Sequence, residues 1–253
     1  MFAKERQELI VSQINSEGRV LVKELSTKFD VTEDCIRKDL AALEKMGLLK
    51  KAYGGAVSLR QNPHLYNSED RKNTPNDERV IIAKKAIQLL QPQDTIYLDI
   101  SLTSVEIAKQ LRESTIQITV ITNMIDVLHT LSHCSQITVI FIGGQLNQER
   151  DGFWGGLSVQ MIQSFKIDKS FLGVVGVNTL NGSLSTYYVD DGFMKKAAIQ
   201  QSQMSYLLCE ERKLKEDGQF IFASLNDVNG LIVSKKLHPK QITSLEEYGL
   251  DII

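Results

Sequence analysis

This chain has little cysteine, little proline and no long apolar run, and each shortage removes a class of protein. Its three cysteines, Cys35, Cys134 and Cys209, are scattered, odd in number and without a CxxC pair. That excludes a disulfide framework and points to a reducing, cytoplasmic setting. No stretch approaches the roughly eighteen apolar residues that a membrane span needs. The opening residues Met-Phe-Ala-Lys-Glu-Arg form no secretory apolar segment. Neither G-x-G-x-x-G nor G-x-x-x-x-G-K-[ST] occurs, so neither a dinucleotide nor ATP is indicated and no cofactor is expected. His129 and His133 read as structural or surface residues, and no metal site is expected.

What remains is a 253-residue chain with 42% hydrophobic residues, enough for two domains with real cores. The most informative stretch is Val31–Val57, VTEDCIRKDLAALEKMGLLKKAYGGAV. Thr32 is placed to cap a helix, its hydroxyl satisfying a backbone N–H of the first turn. Ile36, Leu40 and Leu43 then fall on one face, while Arg37 and Lys38 leave it. Gly47 is expected to end this helix. The residues from Leu48 to Tyr53 turn through Gly54-Gly55 into Ala56-Val57, a two-stranded hairpin with Lys50, Lys51 and Tyr53 near its tip. Before it, Lys4–Ile14 reads as a helix with Leu9, Ile10 and Ile14 at helical spacing, and Val22–Phe29 as a second, short one. Two short helices joined by the turn Asp30-Val31 are a helix-turn-helix, and the hairpin makes it winged.

Charge separates this from an inert three-helix bundle. From Cys35 to Arg60 there are six basic residues and two acidic ones, although the whole chain carries a net charge of −2. The positive excess lies where phosphates would be met. Arg37, Lys50 and Lys51 are the expected phosphate contacts. Thr32, Glu33, Asp34 and Lys38 stand near the exposed helix start as candidates for base contact. Glu33 and Asp34 serve equally well as favourable charge at a helix N-terminus.

The stretch from Arg60 to Glu78 is polar and charged and holds Pro63 and Pro75, which is linker composition. The expected domains are therefore a winged helix-turn-helix over 1–59, a linker over 60–77 and a second domain over 78–253. Beyond the linker, strands and helices alternate. Strands are expected at 95–98, 116–121 and 137–142, with helices at 79–90, 104–111 and 124–131. An apolar run at 170–177, a helix near 192–201 and strands around 206–208, 220–223 and 231–233 follow. This is the pattern of an α/β, Rossmann-like domain with a mostly parallel sheet. Ligands of such sheets bind beyond the carboxyl ends of the strands. Three strand ends qualify: Asp99 with Ser101, Thr103 and Ser104; Thr122-Asn123; and Gly143-Gly144. Hydroxyls at a helix start and bare glycine backbone suit a small anion.

These residues resemble a known family. IRKDLAALEKMGLLKKAYGGAV is similar to the signature of the DeoR-type bacterial transcription regulators. TIYLDISLTS, VITN, FIGG, DKSFLGVVGV, GSLSTYYVDDGFMKKA and LLCEERKL resemble their sugar-phosphate-isomerase-like sensor domain. The resemblance implies a DNA-binding regulator, a repressor of a carbohydrate-utilisation operon, controlled by a phosphorylated sugar and working as a homodimer or homotetramer. It implies that Cys35 and the wing tip, Tyr53-Gly54-Gly55, belong to the DNA surface. By matching positions, Ser101, Thr103, Ser104, Thr122 and Asn123 would hold the phosphate. Asp99, Gly176, Asp191, Lys195 and Lys213 would surround the sugar. The chain departs from the family pattern at Cys35, Lys38, Ser101, Leu102, Asp190-Asp191 and Glu210-Glu211-Arg212. Two alternatives stay open: an isomerase-like enzyme, with Asp190 or Asp191 as base and Lys213 at a developing oxyanion, and a DNA binder whose second domain only oligomerises.

Overall fold

The computed structural model describes residues 3–17, 19–46, 48–58, 77–149, 151–179, 181–214, 216–237 and 239–253. The chain divides into two compact units, Met1–Asn62 and Pro63–Ile253. Gly47 and nearly all of the expected linker fall outside the described residues.

The first unit runs α1 (Ala3–Glu17), β1 (Arg19–Leu21), α2 (Val22–Phe29), α3 (Glu33–Lys45), β2 (Leu49–Ala52) and β3 (Gly55–Ser58). Its core gathers Ile10 and Ile14, Val22 and Leu25, Ile36, Leu40 and Leu43, and Leu49 of the wing. Each helix is too short to persist alone, so this shared apolar face holds all three. Leu9, expected on that face, is 45% exposed. Its place in the stripe with Ile10 and Ile14 is taken by Arg6, four residues before Ile10. Thr32 caps α3 as expected, its Oγ1 accepting from the Cys35 N–H at 3.3 Å. Asp30 closes α2 in the left-handed conformation, φ 51°.

The wing differs from a plain hairpin in two respects. It has a third strand: β1 pairs antiparallel with β3, giving the order β1-β3-β2. Its turn is Tyr53-Gly54, with Ala52 already paired to Gly55. Gly54 takes φ +77°, which glycine adopts freely. Gly55 is glycine for another reason. A Cβ there would lie 1.9 Å from the Val20 carbonyl oxygen of β1.

The second unit is a seven-stranded, wholly parallel sheet in the order β15-β14-β12-β9-β4-β5-β6. Its strands are β4 (Thr95–Leu98), β5 (Ile118–Thr122), β6 (Ile137–Phe141), β9 (Ile167–Gly173), β12 (Ser202–Cys209), β14 (Gly230–Val233) and β15 (Asp251–Ile252). Successive residues face opposite layers, so both faces are apolar. Ile96 and Leu98 meet α4 (Asp77–Gln88), α5 (Leu102–Arg112) and α6 (Ile125–Leu131). Tyr97, Leu172 and Leu207 pack with α7 (Gly156–Ile162) and α8 (Val189–Gln201).

The apolar run 170–177 is divided between two sheets: β9 ends at Gly173, and Gly176-Val177 form β10 of a separate sheet. The strand near Phe220 also leaves the parallel sheet. It is β13 (Phe220–Ser224), paired antiparallel with β11 (Ser183–Thr186), which in turn pairs with β10. A short hairpin, β7 (Gln145–Leu146) with β8 (Phe153–Trp154), and the helix α9 (Pro239–Glu246) complete the unit. Among the described residues no helix is long and apolar enough to cross a membrane.

Candidate functional site

On the first unit, the helix and the wing bring most of the expected DNA-facing residues to solvent. Thr32, Glu33, Asp34, Arg37 and Lys38 of the α3 start are exposed, as are Lys50, Lys51, Tyr53 and Gly54. Tyr53 stands fully clear of the wing. Cys35 is half-buried and Gly55 is buried in the wing sheet. The cations and carboxylates of α3 are not independent. Arg37 donates to Glu33 Oε2 at 2.6 Å and to Asp34 Oδ1 at 2.8 Å. Both pairs are exposed, so they add little to stability; what they do is draw the guanidinium toward the start of the helix.

The orientation of α3 depends on two residues that the sequence reading passed over. Arg6 and Asp39 are each about 95% buried and share an ion pair, Nε to Oδ2 at 2.6 Å. Gln7 Nε2 donates to the other Asp39 oxygen at 2.9 Å, and Arg6 Nη2 donates to the Cys35 Sγ at 3.1 Å. Hydrogen bonding to Asp39 comes first in raising the Arg6 guanidinium above its ordinary value. A signal for this pair existed: Arg6 and Asp39 both occupy helical positions of an apolar stripe. At the far end of α3, Glu44 accepts the Lys51 backbone N–H at 2.8 Å and ties the wing to the helix.

On the second unit, a parallel sheet puts all its carboxyl ends on one edge, and most expected effector residues stand there. One group converges. Asp99, 1% exposed, accepts Ser104 Oγ at 2.9 Å on one oxygen and the Gly173 N–H at 2.8 Å on the other. Lys195 reaches that second oxygen at 2.9 Å and Asp191 Oδ1 at 2.6 Å. Thr186 Oγ1 donates to the remaining Asp191 oxygen at 2.5 Å. Ser101 caps α5 by accepting the Ser104 N–H at 3.1 Å. Thr103 is buried beside it. Burial opposes the charge on Lys195, but Asp191 and Asp99 outweigh it and the ammonium is held above its ordinary range. Burial, then the charges of Asp99 and Asp191, push the neighbouring Tyr97 hydroxyl up as well.

The other expected residues are placed differently. Thr122 Oγ1 donates to the Leu98 carbonyl at 2.8 Å, and Asn123 lies between the Tyr97 hydroxyl and the Phe153 carbonyl. Both side chains therefore serve the framework. Gly143 accepts Ser158 Oγ on its carbonyl at 2.7 Å, and Gly144 lies against the same serine. Gly176 is glycine because a Cβ there would meet the Glu216 carbonyl at 2.2 Å. Asp190, one of the two carboxylates weighed as a base, is exposed. His129 and His133 are exposed as well, and among the described residues no group of three or more His, Cys, Asp or Glu is placed to hold a metal.

Lys213 belongs to a second charged group on the same edge. It lies 3.5 Å from Glu210, which Arg212 and Arg79 approach to 3.3 and 3.5 Å. Burial alone would raise the Glu210 carboxyl, but Lys213, Arg212 and Arg79 bring it down to about 2 from 4.5. A depressed carboxyl contributes stability above its unfolded value, and that stability is lost as pH falls toward the folded value. The shift is worth on the order of 3 kcal/mol. We expect the second unit to lose melting temperature between about pH 5 and 2, and Glu210→Gln to flatten that acid limb; equal limbs by calorimetry would show that Glu210 does not carry it.

Residues 6–62 match the DeoR-like helix-turn-helix domain, and residues 75–235 match the DeoR C terminal sensor domain. The chain is 34% identical over 247 residues to the uncharacterized HTH-type transcriptional regulator YulB of Bacillus subtilis, covering 98% of this chain and 95% of that one. It is 26% identical to the HTH-type transcriptional repressor GlcR of the same organism, covering 100% and 96%. It is 27% identical to a lactose phosphotransferase system repressor of Lactococcus lactis, covering 98% and 97%. The winged head, the parallel α/β body and both matched domains agree, and the chain belongs to the DeoR family of helix-turn-helix transcriptional regulators.

Proposed function

We propose that this protein is a cytoplasmic repressor of a carbohydrate-utilisation operon and that a phosphorylated sugar governs its hold on DNA. The observation that carries the DNA half is the face made by α3 and the wing. A capped helix buries Ile36, Leu40 and Leu43 and presents its polar side next to Lys50, Lys51 and a protruding Tyr53. The first turn of α3 (Thr32 to Cys35, with Lys38) faces base edges in the major groove, and the wing residues Lys50 to Gly55 lie along the phosphates. Arg37 exchanges its two carboxylate partners for DNA. Two or four copies act together, so that paired recognition helices meet paired half-sites.

The effector half rests on the carboxyl edge of the sheet. An ammonium held by two carboxylates, ringed by Ser101, Ser104 and Thr186, offers donors and acceptors suited to a polyol. Thr103, Thr122, Asn123, Gly143, Gly144, Gly176 and Lys213 line the same edge or its flank. The relative named as a lactose phosphotransferase system repressor supports a sugar phosphate in particular. The Asp191 carboxylate is already engaged by Lys195 and Thr186, which favours a sensor over an isomerase. The coupling needed is modest: about 1–3 kcal/mol changes occupancy from about fivefold to over a hundredfold.

Fluorescence anisotropy with duplexes from upstream of the protein's own transcription unit tests the reading. Wild type should bind at low ionic strength. Lys50→Ala with Lys51→Ala should weaken binding to every duplex alike and reduce the salt slope by about two units. Absence of wild-type binding at low salt would overturn the proposal.

A further inference from the structure

Helix α4 carries none of the candidate effector residues, yet its first turn is fastened to the edge that holds them. Asp77, where it begins, is the first described residue after the stretch joining the two units. Ile82, Ala83 and Ala86 bury its apolar face, which is sufficient to dock a twelve-residue helix. Its polar residues nevertheless reach the carboxyl ends of two strands. Glu78 Oε2 accepts the Glu211 backbone N–H at 3.0 Å and the Ser234 hydroxyl at 3.1 Å. Arg79 pairs with Glu210 at 3.5 Å, and Lys85 donates to the Val233 carbonyl at 2.8 Å.

Glu210 connects this fastening to the candidate site. It is 3% exposed and shares its charge with Lys213. Lys213 donates to the Leu208 carbonyl at 3.2 Å. Leu208 is the register partner of Gly173, whose N–H is held by Asp99. Contacts therefore run without a break from Asp99 through Gly173, Leu208, Lys213 and Glu210 to Arg79. Buried ion pairs of this kind add little relative to an apolar replacement, because desolvation offsets their attraction, but they are costly to break from one side. They are well suited to switching. An anion that engages Lys213 draws away one of the cations neutralising Glu210, and Arg79 must answer more of that charge. Occupied and empty sites then differ in how firmly the start of α4 is held, which is the differential interaction that any ligand-driven change requires.

We propose that Glu78, Arg79 and Glu210 form a clasp that conveys occupancy of the carboxyl edge to the stretch 59–76 and so to the DNA-binding head. The proposal rests on the effector reading of that edge. It is tested on the full chain with Glu78→Gln, Arg79→Gln and the charge-keeping Arg79→Lys. Glucose 6-phosphate, fructose 6-phosphate and ribose 5-phosphate serve as probes.

Both Gln variants should bind the upstream duplex within about twofold of wild type and, by calorimetry, the active sugar phosphate within about threefold. The ratio of duplex affinities with and without the sugar phosphate should fall from about fivefold or more in wild type to below about twofold. Arg79→Lys should keep most of the ratio. An undiminished ratio in the Gln variants overturns the clasp. A second measurement needs no sugar phosphate and no variant. Coupling is reciprocal, so the duplex alone should change hydrogen exchange at the Glu211 amide at least about threefold in wild type. Unchanged exchange overturns the clasp. Wild type that binds none of the three sugar phosphates overturns the effector reading instead, and the exchange experiment still decides on the clasp.

Discussion

Arg6→Met is expected to destabilise the DNA-binding head strongly and weaken operator binding while leaving the second unit intact. The substitution keeps most of the volume and removes the ion-pair partner of Asp39, which is 4% exposed. Breaking a buried pair from one side costs about 3–5 kcal/mol, because the remaining charge loses both water and partner. Water lies close to the core of so small a unit, so we expect about 3 kcal/mol. A unit of some sixty residues has only about 3–9 kcal/mol to lose. The corresponding fall in the head's melting transition is about 12–24 °C. Circular dichroism of the full chain should show that transition moving alone. Replacing both partners, Arg6→Met with Asp39→Leu, should recover much of the loss, since neither charge is then stranded. If Arg6→Met melts like wild type, Asp39 does not depend on Arg6 and the account of how α3 is oriented fails.

Lys195→Met should be the most damaging change in the second unit. It strands two carboxylates, Asp99 and Asp191, which now sit 2.9 and 2.6 Å from one ammonium. The expected loss is again about 3–5 kcal/mol, or about 6–20 °C in a unit of this size. The dependence on pH identifies the cause. In wild type Lys195 is held above 10.5, so its contribution is fully present below that value and is lost only as the solution becomes more alkaline. In the variant at least one carboxyl must take up a proton to remain buried, which raises it above its unfolded value. Stability is then lost as pH rises. Lys195→Met should therefore melt higher at pH 5 than at pH 8, a slope wild type lacks in that window. A flat profile for the variant would mean that the two carboxylates find other partners.

Both substitutions fall on residues that show where sequence reading stops. Local signals were readable: the Thr32 cap, the Ile36, Leu40 and Leu43 stripe, the basic wing, and the alternation that makes a parallel sheet. Each depends on neighbours within a few positions. β1 escaped because three residues give no usable period-two pattern. The wing turn was set one residue late because Gly55 answers to the carbonyl of Val20 across the sheet, which local φ preferences do not reveal. Residue type alone does not reveal a buried charge: Arg6 meets Asp39 from another helix, and Glu210 meets the distant Arg79 as well as its neighbours Arg212 and Lys213. Thr122 and Asn123 look like ligand donors from their position after a strand. Only the folded chain shows their side chains already committed to Leu98, Tyr97 and Phe153.

The strand order has a consequence for biosynthesis. β4 has β5 and β6 on one side, and its other neighbour, the central strand β9, is encoded about seventy residues later. At roughly 5–20 residues per second, the newborn sheet shows the ribosome's surroundings one bare flank for several seconds. Nascent chains halted before residue 167 should therefore clump or recruit chaperones more than the full chain, in which β9 covers that flank of β4 and β12 covers β9.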